Sequence, residues 1–172
     1  MRYADDRIRV YEVGRDVPLW ELTGRPVCQM NPAFAYDFLF TPDGKEVAIG
    51  LPEGGVSFHD AMTGRETSRL NGNFVPAVIE FSPDGAKVAL AALRKTDLVI
   101  FDRASGVAER TLVHPKSVVH CAWRPDGQQV AVACFDSRIY LWDAATGAQS
   151  WVIRGRAAGE APEFWTRQFG PI

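Results

Sequence analysis

Between Trp123 and Gly147 the chain reads Trp123-Arg124-Pro125-Asp126-Gly127, then Val130-Ala131-Val132-Ala133-Cys134, then Arg138-Ile139-Tyr140-Leu141-Trp142-Asp143-Ala144-Ala145-Thr146-Gly147. The first block is a turn. Proline presets φ for the first central position, aspartate bonds its own backbone, and glycine accepts positive φ. The second block is a short apolar strand. The third is an aromatic-rich strand that ends in another turn, and Gln149 to Ile153 reads as one more strand.

Both turns recur upstream. The first appears as Phe40-Thr41-Pro42-Asp43-Gly44 and Phe81-Ser82-Pro83-Asp84-Gly85, so Asp43, Asp84 and Asp126 follow one another at nearly equal steps. The second appears as Asp60-Ala61-Met62-Thr63-Gly64 and Asp102-Arg103-Ala104-Ser105-Gly106. The separation of the two aspartates is nearly constant from unit to unit: Asp43 to Asp60, Asp84 to Asp102, and Asp126 to Asp143. Two motifs held in phase over three units identify a repeat architecture. Each unit reads as four short strands, with strands over Ala77 to Phe81 and Val88 to Ala92 in the middle unit. No window keeps a helical apolar period.

The strand faces predict how units pack. In Val130-Ala131-Val132-Ala133, Val88-Ala89-Leu90-Ala91 and Val47-Ala48-Ile49-Gly50, both alternating sets are apolar. A sheet wet on one face alternates apolar with polar, so these strands are expected to be buried on both faces, with small residues on one side. Stacking around an axis has that geometry.

These features resemble the WD-repeat (WD40) β-propellers, all-β rings of four-stranded antiparallel blades. The last unit resembles them most, with His114, the Trp-Arg-Pro-Asp-Gly turn, Asp136 and the Leu141-Trp142-Asp143 ending. The resemblance implies a buried polar network of His114, Asp136 and Trp142, with a strand Ser or Thr. Val130 to Cys134 has neither, and Cys134 is the stand-in. Earlier units depart from the pattern. Phe101, His59 and Tyr11 stand at the Trp142 position, Asn73 at the His114 position, and Asp5, Glu53 and Lys95 at the Asp136 position.

The expected organisation is a propeller arc over 1–155 of about three and a half blades. A half-blade spans 1–23, and blades span about 24–71, 72–113 and 114–155. Residues 156–172, with Phe164, Trp165 and Phe169, form a C-terminal tail, either an extra strand or the start of a further blade. Such a ring is incomplete. It is expected to close with the remainder of a longer propeller, with a second copy making about seven blades, or through the tail folding back.

The chain has 172 residues, 47% hydrophobic and 23% charged, and a net charge of −2. That balance argues against nucleic-acid and membrane-surface partners, which favour a basic face. Met1 to Arg9 lacks a signal-like apolar stretch, and the longest apolar run is too short to span a bilayer. Three cysteines, Cys28, Cys121 and Cys134, without metal spacing fit a reducing, cytoplasmic setting.

No catalytic, cofactor or metal constellation is legible. His59, His114 and His120 lack convergent metal ligands. Asp43, Asp84 and Asp126 are turn residues a blade apart, too far for paired acid–base work. Ser117 has no orienting carboxylate, and Gly54-Gly55 opens no helix. The expected function is a non-catalytic scaffold binding protein partners. The alternatives are a hydrolase-like propeller enzyme or accessory domain, and a regulatory or sensor fragment of a larger protein. In the resembled family partners dock on the loop rim. Here that rim would hold Arg25, Phe74, Arg94, Lys95, Lys116 and Phe135.

Overall fold

The computed structural model describes residues 7–23, 38–92 and 94–154. Every regular element among them is a strand. β1 (Arg7–Val10) pairs antiparallel with β2 (Trp20–Thr23) as a half-blade. Blade 1 has the order β3 (Phe38–Phe40), β4 (Glu46–Gly50), β5 (Val56–Asp60) and β6 (Glu66–Leu70). Blade 2 comprises β7 (Pro76–Phe81), β8 (Lys87–Ala92), β9 (Asp97–Asp102) and β10 (Ala108–Val113). Blade 3 comprises β11 (Val118–Trp123), β12 (Gln129–Cys134), β13 (Arg138–Asp143) and β14 (Gln149–Arg154). Each blade is an antiparallel meander, and the described arc does not close. The tail 156–172, Cys28 and Arg25 lie outside the described residues.

The turns explain why the two motifs stay in phase. In the first, Thr41 and Ser82 hydroxyls donate to Asp43 and Asp84 at 2.6 Å, and Arg124 Nε donates to Asp126 at 2.7 Å. Gly44, Gly85 and Gly127 follow at φ near +70°. In the second, the hydroxyls of Thr63, Ser105 and Thr146 donate to Asp60, Asp102 and Asp143. Backbone bonds then join the two turns of each blade: Ala61 N–H to Lys45 O, Arg103 N–H to Ala86 O, and Ala144 N–H to Gln128 O. The near-constant separation of the two aspartates is what one strand pair needs to bring both turns to the same end of the sheet.

Packing runs from blade to blade. First strands touch across blades, β3 with β7 and β7 with β11, while β6, β10 and β14 are mostly exposed. First strands therefore line the inner edge of the arc. Val47 and Ile49 pack against Ile8, Val10, Trp20 and Leu22 of the half-blade. On the opposite face, Ala48 and Phe58 meet Ile79, Val88 and Leu90 of blade 2. Ala89 and Ala91 meet Val130, Val132 and Cys134 of blade 3. On the second strands, small residues thus face large aliphatics at the two junctions of blade 2, whereas large side chains meet on both sides at the half-blade. A fully buried aliphatic side chain is worth about 1.5–3 kcal/mol, so the junctions are the main cohesive term.

The two-sided burial expected of the second strands holds for β4 and β8. It fails for β12, where Ala131 and Ala133 are only half-buried. Those alanines face away from blade 2, and no described sheet covers them.

Polar side chains brace the outer edge. Trp20 Nε1 donates to Ala61 O at 2.9 Å, and the Arg110 guanidinium donates twice to Ala145 O, at 2.9 and 2.6 Å. Arg103 pairs with Glu46 of blade 1, its guanidinium 4.9 Å from the centre of the Phe58 ring.

Gly64 and Gly106 separate packing from backbone strain. Both have φ near +70°, but a Cβ at Gly64 would sit 2.7 Å from the Trp20 ring, whereas Gly106 has open space. G106A should cost about 1–2 kcal/mol in urea unfolding, the left-handed backbone penalty alone. G64A should cost clearly more and displace Trp20. Equal losses would show that the Trp20 contact contributes nothing.

Candidate functional site

Two features of the described molecule stand apart from the general packing: the buried aromatic–imidazole cluster of blade 3 and the loop rim above it. The cluster begins with the alternation of β13. Tyr140 and Trp142 alternate onto one face, both buried, and both rings meet His114 edge-on, at 5.4 and 5.2 Å between centroids. Trp142 Nε1 donates to His114 Nε2 at 2.9 Å. His114 Nδ1 lies 3.0 Å from Thr96 O, and the His114 backbone N–H donates to the same carbonyl. Indole N–H is a donor only, so Nε2 must be an acceptor and Nδ1 carries the hydrogen. The pair thus requires a neutral imidazole.

Asp136 is not hydrogen-bonded to this pair. Its oxygens accept from Tyr140 OH at 2.6 Å and from Arg138 N–H at 3.2 Å. The expected three-residue network is therefore a His114–Trp142 bond beside a Tyr140–Asp136 bond, joined by ring contact. Its carbonyl acceptor comes from blade 2, through Thr96. Cys134 makes no hydrogen bond to the pair, and burial pushes its thiol up to about 11. Tyr140 was not singled out in the sequence. Its i, i+2 relation to Trp142 is the signal that marks it.

The other blades fill the same place differently. In blade 2, Phe74 stacks on Phe101 at 6.2 Å and 22°, where His114 meets Trp142 in blade 3. Asn73, the expected histidine counterpart, is exposed. In blade 1, His59 bonds Ser57 Oγ and Gly64 O, each at 3.0 Å, and stacks on Trp20.

The rim residues fall into two groups. Arg94, Lys95 and Lys116 are exposed, and Phe135 is 54% exposed. Backbone bonds bring their loops together: Val118 N–H to Lys95 O, His114 N–H to Thr96 O, and Phe135 N–H to Ser117 O. None of the three cations forms an ion pair among the described residues. Arg94 holds φ 58° and Ser137 φ 60°, positions few non-glycine residues adopt. Phe74 does not join this rim. It turns inward against the core of blades 1 and 2 because Phe101 offers it a ring to stack on.

His120 is exposed, and Ser117 has no imidazole bonded to it among the described residues. Among the described residues no three His, Cys, Asp or Glu side chains converge as metal ligands. No helix among them is long and apolar enough to cross a membrane. The lowered pKa values of Asp43, Asp60, Asp84, Asp102, Asp126 and Asp143 have local causes, the hydroxyl, backbone or Arg124 bonds of their own turns.

Comparison with known proteins follows the same geography. Residues 106–143, which run through β10 and the first three strands of blade 3, match the WD40 family (WD domain, G-beta repeat). A 66 kDa stress protein of Physarum polycephalum is 28% identical over 123 residues, covering 68% of this chain and 20% of that protein. A Periodic tryptophan protein 2 homolog of Schizosaccharomyces pombe is 32% identical over 119 residues, covering 67% of this chain and 14% of its own length. The chain thus spans a fifth or less of these two relatives. Among solved structures, the RRP9 WD40 repeats align over 69% of this chain and 38% of that one, at TM-score 0.61 and 18% identity. Kuenenia stuttgartiensis hydrazine synthase aligns over 85% of this chain and 40% of its own, at TM-score 0.64 and 21% identity. Both likenesses concern the fold.

Burial, the largest cause, holds the His114 pKa below the ordinary 6.5, against the opposing pull of the Thr96 carbonyl. The unfolded chain therefore binds a proton at a pH where the folded chain does not. The stabilisation is fully present above about 6.5 and is lost as pH falls through the folded value. In an NMR titration His114 should show a midpoint below 6.5, and the Trp142 indole N–H signal should broaden with it. A midpoint at or above 6.5 would contradict the assignment. W142F, which orphans the Nε2 acceptor, should cost about 1–3 kcal/mol in denaturant unfolding.

Proposed function

This chain is a segment of the WD40-repeat propeller family, and on that premise we propose that it is a non-catalytic scaffold. It holds a protein partner on the loop rim shared by blades 2 and 3. The observation that carries the reading is the grouping of Arg94, Lys95 and Lys116, three cations without ion pairs among the described residues, around the exposed Phe135. The loops are tied to one another by backbone bonds and rest on stacked sheets. A partner therefore binds without ordering them first, which removes part of the entropic cost of association.

The chemistry of the rim fits an acidic segment that also offers an apolar side chain. Carboxylates would pair with the three cations, and Phe135 would supply the anchor contact at the centre. Among the described residues, no group on this rim has the geometry of a nucleophile and its base, or of a paired acid and base. A polyanionic nucleic acid is the alternative ligand for three cations, and the chain's net charge of −2 weighs against it.

The test is affinity capture with the 172-residue chain, comparing wild type with R94E/K95E and K116E. Each variant should lower recovery of the specific partner about tenfold, with residual binding falling as salt rises. F135A should lose recovery without changing the salt dependence. Capture that is unchanged in all three variants would remove this rim from the proposal.

A further inference from the structure

The chain holds three asparagines, Asn31, Asn71 and Asn73, followed by Pro32, Gly72 and Phe74. The following residue decides whether an asparagine can react with its own backbone. The reaction is attack of the next amide nitrogen on the side-chain Cγ. Proline has no N–H to give, a bulky side chain shields the nitrogen, and glycine leaves it open. Asn71 alone precedes glycine. It is exposed, just past the end of β6. Among the described residues, neither its side chain nor the Gly72 N–H makes a hydrogen bond.

Three aspartates, Asp43, Asp84 and Asp126, also precede glycine, and the same ring would form there if the backbone allowed it. The fold closes that route. The N–H groups of Gly44, Gly85 and Gly127 donate to the carbonyls of Thr41, Ser82 and Arg124, each at 2.8 Å. The Thr41 hydroxyl, the Ser82 hydroxyl and the Arg124 guanidinium hold the three carboxyls below their ordinary range. An ionised carboxylate is a poor target for a nucleophile, and a bonded N–H is a poor nucleophile. The turns are protected, and the Asn71–Gly72 bond is not.

We propose that Asn71 is a site of spontaneous deamidation, and that its isoaspartate product breaks the backbone contact between blade 1 and the loop leading into blade 2. The Gly72 nitrogen bonds to Asn71 Cγ, the Cγ–Nδ2 bond breaks, and ammonia leaves with the amide proton, which closes a succinimide ring. Water then opens the ring at either carbonyl, with no change of oxidation state. Opening at Cγ gives aspartate. Opening at the main-chain carbonyl gives isoaspartate, whose backbone runs through the former side chain and is longer by a methylene. The chain around Asn71 has no slack for it. A Cβ at Gly54 would lie 2.2 Å from Gly72 O, and one at Gly55 would lie 2.3 Å from Leu70 O, so main chain rests on main chain. Gly55 N–H donates to Phe74 O at 3.0 Å, and the Phe74 ring is held on Phe101. An added methylene between Leu70 and Phe74 displaces at least one of these contacts. Aspartate at the exposed position changes only its charge.

The test ages the full chain in mildly alkaline buffer, folded in one sample and unfolded in urea in another. Peptide mapping by mass spectrometry then follows each asparagine and each turn aspartate. In the folded chain Asn71 should convert to aspartate and isoaspartate, while Asn73, Asp43, Asp84 and Asp126 stay unchanged. N71Q, whose longer side chain closes the ring far more slowly, should abolish the conversion. The isoaspartyl fraction, separated by chromatography, should unfold at a lower urea concentration than wild type. Freshly prepared N71D should unfold with wild type. Conversion of Asn71 in urea but not in the folded chain, or turn aspartates that convert as fast as Asn71, would overturn the site. An isoaspartyl form as stable as N71D would overturn its effect on the contact.

Discussion

The structure depends on one constraint: a blade cannot keep its apolar faces out of water alone. Each four-stranded sheet is thin, and its second strand is apolar on both sides. Val88 and Leu90 point one way and Ala89 and Ala91 the other, so blade 2 needs a neighbour on each face. Repeat proteins meet that need by nearest-neighbour stacking, and the free energy lies in the junctions more than in the units. The turns make such stacking possible. Their aspartates and glycines bring both hairpins of a blade to one end in every copy, so the faces arrive in register.

Within that frame the third-strand aromatic position is solved three ways. Blade 3 uses an indole–imidazole bond, blade 2 a pair of stacked phenyl rings, and blade 1 a histidine held by a serine and covered by a tryptophan. The polar solution needs every atom matched, because a buried acceptor left unpaired costs about 1–3 kcal/mol. The phenyl solution needs only a ring. Sequence divergence between the units is therefore a change of chemistry at a fixed place, and the sheet around it stays the same.

The fold was legible because its signals are local and repeated. Pro-Asp-Gly and Asp-x-x-Thr/Ser-Gly turns recur at nearly equal steps, and strand apolarity is read directly from Val47 to Gly50 and Val88 to Ala91. The site was legible in part. His114 and Trp142 meet as the family resemblance implied, but Asp136 turns to Tyr140 instead. Nothing local distinguishes an aspartate that bonds an imidazole from one that bonds a phenol on the strand that follows it. Phe74 was misplaced for a similar reason. Its partner Phe101 lies in β9, beyond the whole of β7 and β8, and a lone phenylalanine in a loop carries no sign of which way it faces. The grouping of Arg94, Lys95, Lys116 and Phe135 likewise depends on backbone bonds between loops that sequence does not pair.

A rigid stack with adaptable loops is suited to holding partners, since chemistry on the rim changes without disturbing the junctions. Its central physical claim is that cohesion lies along the inner strands and fades outward. Amide hydrogen exchange across blades 1 and 2 tests that claim most directly. The ladder amides of β8 should exchange slowest, and the amides of β6 and β10 that bond to the third strands should exchange markedly faster. Exchange as slow in β6 and β10 as in β8 would contradict the account, because it would place the cohesion in the individual sheets and not between them.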